Sequence, residues 1–255
     1  MSGNKQEVIC CKGTEDLSIL GAERIAKLAE EAVRLSGRFT LSLAGGSTPM
    51  ALYRLLSSGK YGRQIPWEKV RLFWGDERCV PPDHPDSNYR MVKETLLSAI
   101  GIPAENVHRI KGELGEGAAA DYEKTLKMNF NTDKPGFPRF DLILLGMGDD
   151  GHTASLFPGT AAVSDEKRWV SEVFVERLDS LRISLTPPVI KNAAEIIVLV
   201  GGEGKAAALK NVLEGAFDPC RYPAQILRKA TGRVTWLVDE AAGMLLPEGF
   251  NKVSR

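Results

Sequence analysis

The chain of 255 residues has little of what would point to a metal centre, a membrane or a nucleic-acid partner. It holds four cysteines, Cys10, Cys11, Cys79 and Cys220, and three histidines, His84, His108 and His152. Neither set shows C-x-x-C or zinc-ligand spacing, so no metal site is expected, and the cysteines read as reduced, mostly buried thiols. Formal charge is balanced, 33 basic against 33 acidic residues, and no long basic block appears. That argues against nucleic acid and anionic membranes as partners. There is no apolar run of about 18 residues and no basic-then-apolar leader in "MSGNKQEVICC". A cytoplasmic protein is the expectation. Internal repeats and low-complexity tracts are absent too, and "NTDKPGFPR" (Asn131–Arg139) reads as a loop. Residues 1–255 are therefore expected to form a single domain.

What is present is an alternation. Short apolar runs at Glu7–Cys11, Phe39–Ala44, Val70–Trp74, Phe140–Leu145, Trp169–Val175, Arg182–Leu185, Ile196–Val200 and Val234–Val238 read as strands. Between them lie amphipathic stretches. "ILGAERIAKLAEEAVRLSG" places Ile19, Ile25, Leu28, Ala29, Ala32 and Leu35 near a period of 3.6 and stops at Gly37. Further helices are expected at Pro49–Leu56, Ser87–Ser98, Ala118–Phe130, Lys205–Leu213 and Glu240–Leu246. Strands alternating with helices imply an α/β fold: a Rossmann-like open, mostly parallel sheet with helices on both faces. In such sheets ligands bind beyond the carboxyl ends of the strands.

Four strand ends carry glycine and chemistry. "LAGGSTP" runs from a strand through Gly45 and Gly46 into a helix near Ser47 and Pro49. Its amides would point at an anion, although the same residues make an ordinary turn and cap. "WGDER" sets Asp76, Glu77 and Arg78 after a strand, suited to hydroxyls, a phosphate or an oxyanion, or to a solvated salt bridge. "GMGDDGHTASLFPG" puts His152 where a strand gives way to a helix. Histidine titrates near neutral pH and can accept and return a proton, and Asp150 could orient its ring. "GGEGKAAAL" places Lys205 in the first turn of a helix, where a cation opposes the macrodipole unless an anion lies between. His84, in a proline-rich loop, and His108, in a short helix or extended linker, read as structural. Together the four turns describe a site for a phosphorylated, hydroxyl-rich small molecule with one general base.

In this order "AGGSTP", "WGDER", "GMGDDGHTASLFPG", "RISLTPPVI", "GGEGKAAAL" and "VTWLVDEAA" resemble the 6-phosphogluconolactonases, over about Glu7 to Leu246. The resemblance implies the fold of the sugar-phosphate isomerase and deaminase superfamily. It also implies hydrolysis of 6-phospho-D-glucono-1,5-lactone in the oxidative pentose phosphate pathway, with neither metal nor organic cofactor. Carried across, His152 matches the general base, and Asp76 and Arg78 the charged residues of the "GDER" motif. Gly45, Gly46, Ser47 and Lys205 match the phosphate-binding segments, with Arg182 a further candidate. The partner implied is a small sugar-phosphate lactone, handled by a monomer or a dimer. Two rivals differ in kind. Glucosamine-6-phosphate deaminases resemble the same turn but carry a glutamate five residues after the histidine, where this chain has Phe157. Sugar-phosphate sensors of similar fold need a DNA-binding module, for which this chain has neither the room before its first strand nor the charge.

Overall fold

The computed structural model describes residues 6–130 and 136–247; the first five residues of the "NTDKPGFPR" loop lie outside that range. Among the described residues, ten strands form two sheets. Seven of them, β1 (Gln6–Cys11), β2 (Phe39–Leu43), β3 (Val70–Trp74), β5 (Val107–His108), β6 (Leu142–Gly146), β9 (Glu195–Val200) and β10 (Arg233–Asp239), make one sheet in the order β1-β10-β9-β6-β2-β3-β5. Every pairing in it is parallel. Its middle strands are apolar on both faces, as "FDLILLG" predicts: Leu142, Ile143 and Leu144 are wholly buried. Each such side chain contributes roughly 1.5–3 kcal/mol relative to exposure. Helices α1 (Thr14–Ser36), α2 (Ser47–Leu56), α3 (Asn88–Thr95), α4 (Ala118–Phe130), α5 (Pro187–Asn192), α6 (Ala206–Glu214) and α7 (Glu240–Gly243) flank the sheets.

The strand order sets the position of the site. From β2 the chain moves one way to β3 and β5, then returns to β6 on the other side and continues to β9 and β10. The direction reverses between β2 and β6, and a crevice opens there at the carboxyl ends. β9, β6, β2 and β3 are consecutive neighbours, so the four glycine-bearing turns leave the sheet side by side.

Several expectations need correction. "DER" is itself a strand, not a solvated salt-bridged turn: Asp76–Arg78 forms β4, which pairs antiparallel with β8 (Ser180–Leu185), itself paired with β7 (Val170–Val175), in a separate three-stranded sheet. His152 does not open a helix. The chain instead makes tight turns with one Thr153–Leu156 bridge, and the next helical turn is a short 3-10 segment at Ala161–Ser164. "AENVHRI" divides into a 3-10 turn at Ala104–Asn106 and the edge strand β5. In α1 the buried stripe is Leu17, Ala22, Ile25 and Ala29, whereas Leu35 is 74% exposed. The helix ends as expected, with Gly37 left-handed and its amide on Val33 O. Cys11 is buried but Cys220 is exposed. No helix among the described residues is long and apolar enough to cross a membrane.

Two tyrosines stiffen the strand ends that feed the crevice. The buried Tyr53 hydroxyl donates to Ala44 O (2.8 Å) and accepts from Ala44 N (2.9 Å), just past β2. The Tyr122 hydroxyl does the same with Trp74 at the end of β3, both at 2.9 Å. In a dry environment such paired bonds hold the backbone at one register.

Candidate active site

A cavity of about 210 Å³ opens over the carboxyl ends of β2, β3, β6 and β9. Its lining includes Gly45, Gly46, Ser47, Asp76, Arg78, His152 and Lys205. Of the residues the sequence nominates, Arg182 and the ring-orienting Asp150 are not on its wall.

On one side stands a helix N-terminus prepared for an anion. Gly46 has φ 102 and ψ 168, a backbone reserved for glycine, and no side chain caps the first amides of α2. The opening amides of a helix lack intrahelical partners, so those of Ser47 and Thr48 are available to a ligand. Gly45 is a glycine for another reason. A Cβ there would fall on the side chain of Asn88, whose Nδ2 donates to Asp76 O (2.9 Å). Opposite, Lys205 precedes α6 and no side chain caps that helix either. Its loop is fixed by Asp239: Gly202 N donates to both carboxylate oxygens (3.0 and 2.9 Å), while Ala242 N donates to Oδ1 (2.8 Å). Asp239 lies at the end of β10, inside the "VTWLVDEAA" motif.

β4 sorts its three charges by strand alternation. Asp76 and Arg78 share the face that meets the cavity, and Glu77 points the other way. Glu77 accepts from the amides of Arg78, Asn88 and Tyr89 (2.8, 2.7 and 2.8 Å) and so caps α3. Burial pushes its pKa above the usual carboxylate value, against those amides. The Asp76 carboxylate accepts from Ser155 Oγ at 2.7 Å, within a nearly dry wall. Arg78 and Arg182 are cross-strand partners, and the Nε of each is buried without a hydrogen-bond partner. Burial, then the neighbouring Arg78, holds the Arg182 guanidinium below its ordinary pKa. Like charges placed opposite each other on a sheet are unfavourable unless an anion offsets them.

His152 sits in a cradle that glycine makes possible. Its Nδ1 lies 2.6 Å from Asp150 Oδ1, and its own amide donates to the same oxygen at 3.0 Å. A Cβ on Gly148 would fall on the imidazole Nδ1 and the Asp150 carboxylate. The second carboxylate oxygen, Oδ2, accepts from Arg177 Nη2 at 2.5 Å. Burial raises the Asp150 pKa, but the bonds from His152 and the charge of Arg177 outweigh it and draw the value down to about 2. Asp150 faces the Nδ1 edge of the ring, so that in the neutral Nδ1–H tautomer the free lone pair is on Nε2. Phe157 stacks on the imidazole, centroids 4.2 Å apart at 28°.

Arg177 and the Phe157 stack carry no signal in the sequence around His152. His84 and His108 do not reach the cavity wall; His108 stacks on Phe73. Among the described residues, no group of three or more His, Cys, Asp or Glu side chains converges as a metal site requires.

Residues 13–236 match the family model described as glucosamine-6-phosphate isomerases/6-phosphogluconolactonase. A 6-phosphogluconolactonase of Nostoc sp. is 42% identical over 217 residues, covering 84% of this chain and 87% of that one. One from Haemophilus influenzae is 40% identical over 226 residues, covering 87% and 95%. The solved 6-phosphogluconolactonase from Trypanosoma cruzi superposes with a TM-score of 0.86 at 31% identity, over 96% of this chain and 98% of its own.

Proposed function

The chain belongs to the family of glucosamine-6-phosphate isomerases and 6-phosphogluconolactonases, and from that membership we propose that it hydrolyses 6-phospho-D-glucono-1,5-lactone to 6-phospho-D-gluconate. The observation that carries the reading is His152, held by Asp150 at 2.6 Å, on the wall of a cavity whose far sides offer amides and cations to a phosphate.

A lactone is an activated ester, so the work is positioning, water activation and charge stabilisation. His152 Nε2 takes one proton from a water whose oxygen adds to the C1 carbonyl carbon. The carbonyl electron pair moves onto oxygen, and Arg78 supplies positive charge to that oxyanion. When the tetrahedral intermediate collapses, the C1–ring-oxygen bond breaks and the imidazolium returns its proton to the departing ring oxygen. The new carboxylic acid then ionises to solvent, and the enzyme is back in its starting state. Asp150 stabilises the imidazolium in between. Asp76, fixed by Ser155, accepts from sugar hydroxyls. The phosphate sits against the amides of Gly46, Ser47 and Thr48 with Lys205 beside it, and Arg182 adds charge behind Arg78. Binding energy at this remote group places C1 against the water. Ser155 donates to Asp76 and lies in a buried wall, so it is no nucleophile.

The test is direct. The lactone is generated in situ with glucose-6-phosphate dehydrogenase and its disappearance is followed with and without the protein. Acceleration proportional to protein concentration supports the reading, and decay at the spontaneous rate overturns it.

A further inference from the structure

Arg177 lies far from the motifs above, in the 3-10 turn Glu176–Leu178 at the tip of the β7–β8 hairpin. The turn closes on Asp179, left-handed at φ 43. From there the guanidinium makes two contacts with the surroundings of the imidazole. Nη2 donates to Asp150 Oδ2 at 2.5 Å, and the guanidinium carbon stands 5.2 Å from the centre of the Phe157 ring. Asp150 holds the edge of the His152 ring, and Phe157 covers its face. One exposed side chain thus touches both groups that orient the histidine.

The need for such a brace is visible in the geometry. Asp150 Oδ1 is occupied twice by His152, through ring and amide. Among the described residues, Arg177 is the hydrogen-bond partner of Oδ2. Asp150, Phe157 and Arg177 also border a second, open cavity behind the ring. Without the arginine, water would reach Oδ2 and the carboxylate could turn about its own axis. A partly exposed ion pair of this kind contributes little to stability. Its effect lies in holding a direction, as do the groups that orient ligating or catalytic histidines elsewhere.

We propose that Arg177 is a positioning residue, by which the small antiparallel sheet holds the Asp150–His152 pair and the Phe157 stack in the orientation that aims Nε2 into the cavity. The inference rests on the lactonase reading for its kinetic consequence, but the orientation of the ring can be read without it.

The experiment compares the full-length parent with Arg177→Gln, Arg177→Lys, Asp150→Asn and the Arg177→Gln/Asp150→Asn double variant. Arg177 is 52% exposed, so the two single Arg177 variants should unfold at the parent's temperature. In Arg177→Gln, kcat for the lactone should fall roughly 10-fold, as misplacement of a catalytic group does, with KM within about twofold of the parent. Arg177→Lys keeps the charge and should recover at least half of that loss on a logarithmic scale. Once Asp150 is already Asn, removing Arg177 should cost less than about twofold, because the two act through one path. Independently, the ¹⁵N shifts of the His152 ring should report the Nδ1–H form in the parent and a mixture of tautomers in Arg177→Gln. If kcat is unchanged, if KM alone rises, or if the losses simply add, the proposal is wrong. Should the parent show no lactonase activity, the functional reading fails by itself, and the ring shifts still decide the role of Arg177.

Discussion

The phenyl ring of Phe157 lies almost parallel to the imidazole of His152, 4.2 Å between centres, and is itself 94% removed from solvent, at 6% exposure. A glucosamine-6-phosphate deaminase resembling this turn has a carboxylate at that place; here an apolar plate covers the ring. The protein should therefore release no ammonia from millimolar glucosamine 6-phosphate. Phe157→Glu should not change this, since a working acid also needs a matched pKa and a surrounding shell. It should cost at least about 2 kcal/mol of stability, from lost aromatic burial and a desolvated carboxylate. Ammonia release by the parent at a rate near its lactonase turnover would reassign the site.

His152→Ala removes the one imidazole on the cavity wall. Its kcat should fall by roughly 10²–10⁴, the range usual for general acid–base groups, with the circular dichroism spectrum unchanged. Residual activity within threefold of the parent would mean that another group activates the water.

Asp150 links the site to stability through pH. Its folded pKa of about 2 lies below the ordinary 3.8, so its ionised form is favoured by folding. A depressed carboxylate stabilises the fold fully above the ordinary value and loses that contribution as pH falls through the folded one. Because the pair is partly open to solvent, screening keeps this contribution to about 1 kcal/mol or less. Asp150→Asn should be less stable than the parent at pH 6, and the gap should close between about pH 4 and pH 2. Denaturant titrations across that range check it, and a gap that stays constant with pH would contradict it.

Gly148→Ala tests the cradle. The added methyl would occupy the space of the imidazole Nδ1 and the Asp150 carboxylate, so one of them must move. Displacement by an ångström at a reacting group costs on the order of 10² in rate. We expect kcat to fall at least tenfold with little change in KM; wild-type kinetics would show that the turn has room to relax.

Lys205→Ala tests the anchor. A hydrogen bond to a charged group contributes ~1.5–3 kcal/mol, so KM for the lactone and Kd for 6-phosphogluconate should rise by roughly tenfold or more. Binding of unphosphorylated gluconate should change far less. Equal effects on both ligands would place the phosphate elsewhere.

The parts of the site that the sequence discloses are those written in backbone rules. Glycines after apolar runs mark strand ends, and a parallel sheet brings those ends together, so Gly45, Gly46, Ser47, His152 and Lys205 are legible before any coordinates. Asp76 and Arg78 are legible as chemistry but not as structure. A three-residue strand is too short for its alternation to register, so the division of labour that sends Glu77 to cap α3 stays hidden. Arg177 is hidden more completely. It sits 25 residues beyond His152 on a polar hairpin tip, and nothing in "VERLDS" separates a brace from a solvated charge. The reach of Asp239 to Gly202 is likewise a pairing across the sheet, visible only once β9 and β10 lie side by side.

That last placement bears on how the protein is made. Among the described residues, every residue of the cavity wall lies at or before Lys205. The loop carrying that lysine, however, is fixed by a carboxylate at the end of β10, a strand that inserts between β1 and β9. A growing chain therefore carries all the proposed site residues out of the ribosome while β1, the first strand synthesised, still waits for its neighbour. Contacts that span so much sequence form late and slowly. The proposed anion site should open only when Asp239 has emerged and β10 has docked, so that an unfinished chain holds the proposed catalytic residues without a competent pocket.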